Sequence, residues 1–169
     1  GLDVQIKFNN RKILAGIAEA LAISDKLTDF TIILDKLDKI GAEKVTVELE
    51  KKGIPPAANE VVQLAGKATA DQLDYLNTLL SSSAIGQKGL EEVNYLTDKI
   101  VSAKVQLDVT LARGLDYYTG TIFEVIANGV QMGSIGGGGR YDDLTGMFGL
   151  QNMSGVGISF GVERIYDVM

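Results

Sequence analysis

Gly155-Val156-Gly157-Ile158-Ser159-Phe160-Gly161-Val162-Glu163-Arg164 is the stretch that decides how the chain is read. Small residues stand at 155, 157, 159 and 161 and apolar ones at 156, 158, 160 and 162, and this period of two marks a strand. One face of that strand is almost bare. Glycine at alternate strand positions forfeits packing and marks a place where a ligand or another backbone comes close, so a flat ring is expected to lie there. Glu163 to Val168 then suits a helix, which sets the permanent cation of Arg164 where strand meets helix, a placement suited to phosphate.

Moving back along the chain, Gly136-Gly137-Gly138-Gly139-Arg140-Tyr141-Asp142-Asp143 comes next. It is not a phosphate loop of the Gly-Lys-Ser/Thr kind, because Arg140-Tyr141 stands where lysine and a hydroxyl are required. The dinucleotide fingerprint fails too, since Gly155-x-Gly157 has no glycine at the sixth position and lies within its own strand. Four consecutive glycines also fit a flexible linker. Thr121 to Ile126 is an almost wholly apolar strand, expected to be covered on both faces. Asn128-Gly129 is a hairpin turn leading into Val130-Gln131-Met132. Val105, Leu107, Val109 and Leu111 alternate with Gln106, Asp108 and Thr110, a further strand. It runs into Arg113-Gly114-Leu115-Asp116-Tyr117-Tyr118-Thr119-Gly120.

Residues 24 to 103 have a different texture. Leu27, Phe30, Ile33, Leu34, Leu37 and Ile40 form a helical stripe closed by Gly41. Residues 43 to 52 fit both periods, and their flanking charges tip the reading to helix. After Pro55-Pro56 a short helix over 57 to 65 is expected. Thr69-Ala70-Asp71-Gln72 has capping-box spacing ahead of Leu73, Leu76, Leu79 and Leu80. Ser81 to Gly89 reads as a loop, followed by a helix carrying Leu90, Val93, Leu96 and Ile100. At the start of the chain, Val4, Ile6 and Phe8 alternate as a strand, Asn10 suits a helix cap, and Ile13, Leu14, Ile17, Ala18 and Leu21 form an apolar stripe. That stripe and the one over 162 to 169 are expected to pack on one side of the sheet.

Composition narrows the chemistry. The 169 residues suffice for one core, or a core with a small satellite. With no cysteine and no histidine, thiolate chemistry, disulfides and the usual general base are excluded, leaving Asp, Glu, Lys, Arg and Tyr. Sixteen basic against 22 acidic residues give a net charge of −6, the wrong sign for a chain held to nucleic acid mainly by phosphate attraction. No apolar run approaches the ~20 residues of a membrane span.

Taken in order, these stretches resemble the histidyl-tRNA synthetase family. Residues 155 to 164 are similar to motif 3 of the class II aminoacyl-tRNA synthetases, and Arg113 to Gly120 is similar to the histidine-recognition loop. The resemblance covers nearly the whole chain. It implies an α+β fold, with the largely antiparallel sheet and packed helices of the class II synthetase core plus a small all-helical insertion domain. Residues 1–23 and 105–169 would be core, and residues 24–104 the insertion. The implied parent activates L-histidine with ATP to histidyl-adenylate and passes histidine to tRNA(His), as a cytoplasmic homodimer without membrane attachment.

The same resemblance implies the site. Arg113 would bridge the histidine carboxylate and the α-phosphate of ATP through its planar donor fork. Tyr117 and Tyr118 would form the histidine pocket with Tyr141 at its wall, and the 136–139 stretch would close over the amino acid. Gly161 would leave room for the substrate, Arg164 would meet the γ-phosphate, and magnesium would accompany the ATP phosphates. Asp116 is read as structural. Motif 1, motif 2 and the anticodon-binding domain have no counterpart, so the resemblance implies a piece of a larger enzyme that cannot aminoacylate tRNA by itself. A regulatory, histidine-sensing paralogue that works beside an ATP phosphoribosyltransferase is the alternative. Such paralogues tend to lose the catalytic arginines, and both Arg113 and Arg164 are present. A tRNA-binding accessory module is opposed by the acidic balance.

Overall fold

The computed structural model describes residues 1–100, 102–112, 117–130 and 132–169. Val4–Asn10 forms β1 and leads directly into helix α1, Arg11–Ala20. As expected, Asn10 caps that helix, its side chain accepting from the Lys12 amide at 2.9 Å. The helical stretch follows as α2 (Leu27–Leu34), α3 (Leu37–Ile40), α4 (Ala42–Lys51), α5 (Ala58–Val62), α6 (Thr69–Leu79) and α7 (Ala84–Lys99). The single stripe expected over 27 to 40 is thus split in two, and Gly41 closes it with φ +80°. The ambiguous 43–52 segment is helical.

Strands β2 (Val105–Leu107), β3 (Thr121–Ala127), β4 (Gly136–Tyr141) and β5 (Gly155–Phe160) complete a five-stranded sheet, and α8 (Val162–Asp167) ends the chain. The strand order is β2-β1-β3-β4-β5, parallel only between β1 and β2. The sheet is therefore largely antiparallel, as expected. Gly129, at the expected hairpin turn, has φ +76°. Gln131 lies outside the described residues, so the return expected over 130–132 is not tested, and among the described residues the register with β3 runs from Gly136. The four glycines are not a flexible linker. They pair on both sides, with β3 and with β5.

Two corrections concern side chains diverted from their expected local roles. Thr69 and Gln72 make no capping box, because Ala68 occupies the cap position without a side-chain bond. Thr69 Oγ1 instead accepts from the Leu107 amide at 3.2 Å, and the buried Gln72 donates to Leu107 O at 2.7 Å and accepts from Val109 N at 2.9 Å. Helix α7 starts well before Leu90, through the expected loop, with Ser83 as its cap at 3.0 Å from Gly86 N. Its glycines serve contact with α1. A Cβ on Gly16 would meet Gly86 Cα at 2.5 Å, and one on Gly89 would meet Ile13 N at 2.8 Å.

One hydrophobic cluster runs from Phe8 and the apolar side of α1 through Phe30, Leu49 and Leu76 to Leu107 and Val109. Coverage of β3 is uneven: Ile122 and Glu124 are buried while Phe123 and Ile126 are half-buried. The expectation that α8 packs beside α1 is not met, since α8 buries no residue. It follows the edge strand, and Val156, Ile158, Phe160 and Val162 are all exposed beside it. Among the described residues no helix is long and apolar enough to cross a membrane.

The glycine contact between α1 and α7 yields a test. Alanine normally favours a helix over glycine by about 1 kcal/mol, but Gly16→Ala pushes a methyl group into the α7 backbone, an overpacking that costs about 1–3 kcal/mol. The variant is expected to show a lower urea midpoint than the native chain, whereas a raised midpoint would show that the helices do not approach so closely.

Candidate functional site

On one face of the sheet β4 and β5 present almost no side chains. The register sets Gly139 opposite Gly157, Gly137 opposite Ser159 and Tyr141 opposite Gly155, so these positions share that face. The flat ring expected on β5 is supplied by the chain itself. Tyr141 lies over Gly155, where a Cβ would collide with its ring, and reaches Gly157, where a Cβ would sit 3.3 Å from Cε1. Tyr118 lies over Gly139 in the same way, its Cδ1 2.9 Å from where a Cβ would be. A larger residue at Gly155 or Gly139 would collide with a tyrosine ring.

The rings form a connected wall. The Tyr117 and Tyr118 centroids are 4.7 Å apart, and Tyr117 meets Tyr141 edge-on at 6.0 Å. Burial, then hydrogen bonding to Tyr117 and the nearness of the other two tyrosines, pushes the Tyr118 hydroxyl up to about 12. At neutral pH it is an uncharged donor.

Arg113, Gly114, Leu115 and Asp116 lie outside the described residues, so the roles expected of Arg113 and Asp116 are not tested. The chain leading to them is described, and it differs from the strand expected over 105 to 111. Pairing stops at Leu107, because Asp108 turns the backbone: its Oδ1 accepts from Thr110 N at 3.0 Å and from Thr110 Oγ1 at 2.5 Å. The buried Asn9 then donates to Val109 O and Leu111 O, both at 2.9 Å. Lys7 pairs with Asp108 at 2.9 Å. Burial alone would lower the Lys7 pKa, but the bond and charge of Asp108, with Asp38 and Glu124 nearby, raise it. These side chains fix residues 107 to 112. Sequence reading missed Asn9, Gln72 and Asp108, although the Asn9-Asn10 pair at a strand end and the polar residues interrupting 105–111 were the available signals.

Arg164 stands at the start of α8, where Nη1 donates to Ser134 O at 2.7 Å. It therefore borders the glycine strands at the end where Gly161 N donates to Ile135 O at 2.8 Å. Gly161 keeps ordinary space, with Ile135 O 3.5 Å and Arg164 Cδ 3.6 Å from a built Cβ. The structure thus brings Tyr117, Tyr118 and Tyr141 together and sets Gly161 and Arg164 at the far end of the same strand pair. Among the described residues no group of three or more Asp, Glu, His or Cys side chains could hold a metal ion. Magnesium finds no ready protein cage there.

The fold and this site are those of a mixed sheet domain with a backbone-floored aromatic pocket, and comparison with known proteins says which. The sequence model described as Histidyl-tRNA synthetase matches residues 1–165. The chain is 53% identical over 176 residues to the histidine–tRNA ligase of Phocaeicola vulgatus, covering 100% of itself and 39% of that protein. It is 58% identical over 179 residues to that of Flavobacterium johnsoniae, covering 100% of itself and 38% of the relative. The crystal structure of histidyl-tRNA synthetase from Nostoc sp. PCC 7120 superposes with a TM-score of 0.87 at 37% identity, over 98% of this chain and 41% of that one. The chain belongs to the histidyl-tRNA synthetase family and spans about two-fifths of the length of these relatives. An ATP phosphoribosyltransferase regulatory subunit/histidyl-tRNA synthetase from Bacillus halodurans shares the fold, with a TM-score of 0.79 over 98% of this chain and 44% of that one, at 15% identity.

Two carboxylates, Glu92 on α7 and Asp142 just after β4, carry a pH signature. Burial would raise Glu92, but the Lys12 ammonium and the Asn10 amide outweigh it and hold Glu92 below its ordinary 4.5. Bonds from Thr119 and Arg140 hold Asp142 below its ordinary 3.8. A depressed carboxylate stabilises the fold above its unfolded value and loses that contribution as pH falls through the folded one. Stability is therefore expected to decline as pH drops below 4.5 and then below 3.8, and Glu92→Gln is expected to flatten the first part of that decline in urea melts. An unchanged acid limb would contradict the assignment.

Proposed function

We propose that this chain forms the histidine-binding half of the catalytic core, with the insertion unit, of a cytoplasmic class II histidine–tRNA ligase that works as a homodimer. In the parent protein the carboxylate of L-histidine displaces pyrophosphate from the α-phosphate of ATP to give histidyl-adenylate, and the histidyl group then passes to a hydroxyl of tRNA(His) with release of AMP. Residues 1–23 and 105–169 are core and 24–104 the insertion. The observation that carries the reading is the aromatic wall over the glycine floor: Tyr118 is a neutral donor beside Tyr117 and Tyr141, suited to hydrogen-bond an imidazole nitrogen while the rings enclose its faces.

The step requires a carboxylate to approach a phosphate, two like charges. Arg113 bridges both as charge builds in the transition state. Arg164 takes the γ-phosphate of ATP, exchanging its neutral carbonyl partner for an anionic one, and Gly161 leaves space for the amino acid. Magnesium bound with the nucleotide would screen the charge of its phosphates. The regulatory reading is weaker, because the relative that carries that title shares the fold at only 15% identity while the named ligases exceed 50%.

Exchanging the corresponding segment of the Flavobacterium johnsoniae ligase for this chain tests the proposal. The chimera is expected to support histidine-dependent ATP–pyrophosphate exchange, and Arg113→Ala or Arg164→Ala to reduce kcat by about 10²–10³-fold. The isolated chain is expected to show none. A folded chimera that binds histidine without exchange would favour the regulator.

A further inference from the structure

Thr119, Arg140 and Asp142 lie outside the expected site residues, yet they meet in one cluster at its edge. Thr119 Oγ1 donates to Asp142 Oδ2 at 2.6 Å. Arg140 approaches the other oxygen, Oδ1, with Nε at 3.0 Å and Nη2 at 2.9 Å. The backbone repeats the connection, with Thr119 N donating to Arg140 O at 3.0 Å. The Arg140 stem crosses Gly120, where a Cβ would lie 3.1 Å from its Cδ. Thr119 immediately follows the tyrosine pair, and Asp142 immediately follows Tyr141.

We infer that Asp142 is the positioning residue of the aromatic pocket: its carboxylate latches the end of the tyrosine loop onto the end of β4, so that Tyr118 stays over Gly139. Without an acceptor there, the loop keeps one backbone bond at Thr119 and gains rotational freedom beside a floor that has no side chains to stop it. Each oxygen serves a different element, one the loop hydroxyl and one the Arg140 fork. Asparagine at 142 would retain an acceptor for Thr119 but lose the charge that organises Arg140. The inference rests on the reading of this pocket as the histidine site only for its effect on catalysis, and not for the latch itself.

Two measurements separate these levels. In the 169-residue chain, NMR of the ligand-free protein is expected to show contacts between the Tyr118 ring and the Gly139 α-protons, with a ring-current shift at Gly139. Asp142→Ala and the isosteric Thr119→Val should abolish both, Thr119→Ser should restore them, and amide protection in β3 should not change. Persistence of the Tyr118–Gly139 contact in Asp142→Ala and Thr119→Val overturns the latch. In the chimera, Asp142→Ala is expected to raise KM for histidine about tenfold and Asp142→Asn less, with KM for ATP unchanged. An equal loss for both substrates, or none, overturns the positioning role. A native chimera without exchange counts against the ligase reading alone, and the NMR arm still decides the latch.

Discussion

The structure depends on two adjacent strands having almost no side chains on one face. Because Gly139 faces Gly157 and Tyr141 faces Gly155, aromatic rings can lie flat on peptide backbone, a contact no larger residue allows. Strands so poor in packing are weak by themselves, and here the backbone bonding is made good on both sides of β4 by β3 and β5. The bare face costs stability and provides a shaped surface. On the opposite face Ile6, Phe8 and Phe123 line an open apolar groove of about 610 Å³ beside α7, and Val156, Ile158 and Phe160 of β5 are exposed.

The helical region braces the sheet from the other end. Gln72 of α6 bonds to both Leu107 and Val109, and Asn9 of β1 bonds to Val109 and Leu111. Buried amides satisfied in this way are costly to break, because removal of one partner strands the other. They hold residues 107 to 111 without extending the strand past Leu107. Through α6 the helical region thus reaches the approach to the candidate site, while α1 and α7 cross closely at their glycines.

Much of this was legible in the sequence. The strand and helix at 155–167, the first strand with its Asn10 cap, the ambiguous 43–52 helix and the largely antiparallel sheet all followed from period and punctuation. What failed did so for tertiary reasons. Gly86 and Gly89 look like loop residues until a neighbouring helix needs their missing Cβ atoms. Thr69 and Gln72 look like a cap until β2 offers buried partners. The four glycines look flexible until strands bond on both sides. For the site, the tyrosines and Arg164 were singled out by motif, whereas Asn9, Asp108, Thr119 and Asp142 make contacts between segments far apart in sequence, which periodicity does not encode.

The central claim is that the aromatic wall over the glycine floor is where the imidazole of histidine binds. A crystal structure of the chimera with L-histidine tests it most directly. The account predicts an imidazole nitrogen within hydrogen-bond distance of a hydroxyl of Tyr117, Tyr118 or Tyr141, on the β4–β5 face that carries Gly139 and Gly157. Histidine bound on the opposite face of the sheet, or with no tyrosine hydroxyl near its ring, would contradict it.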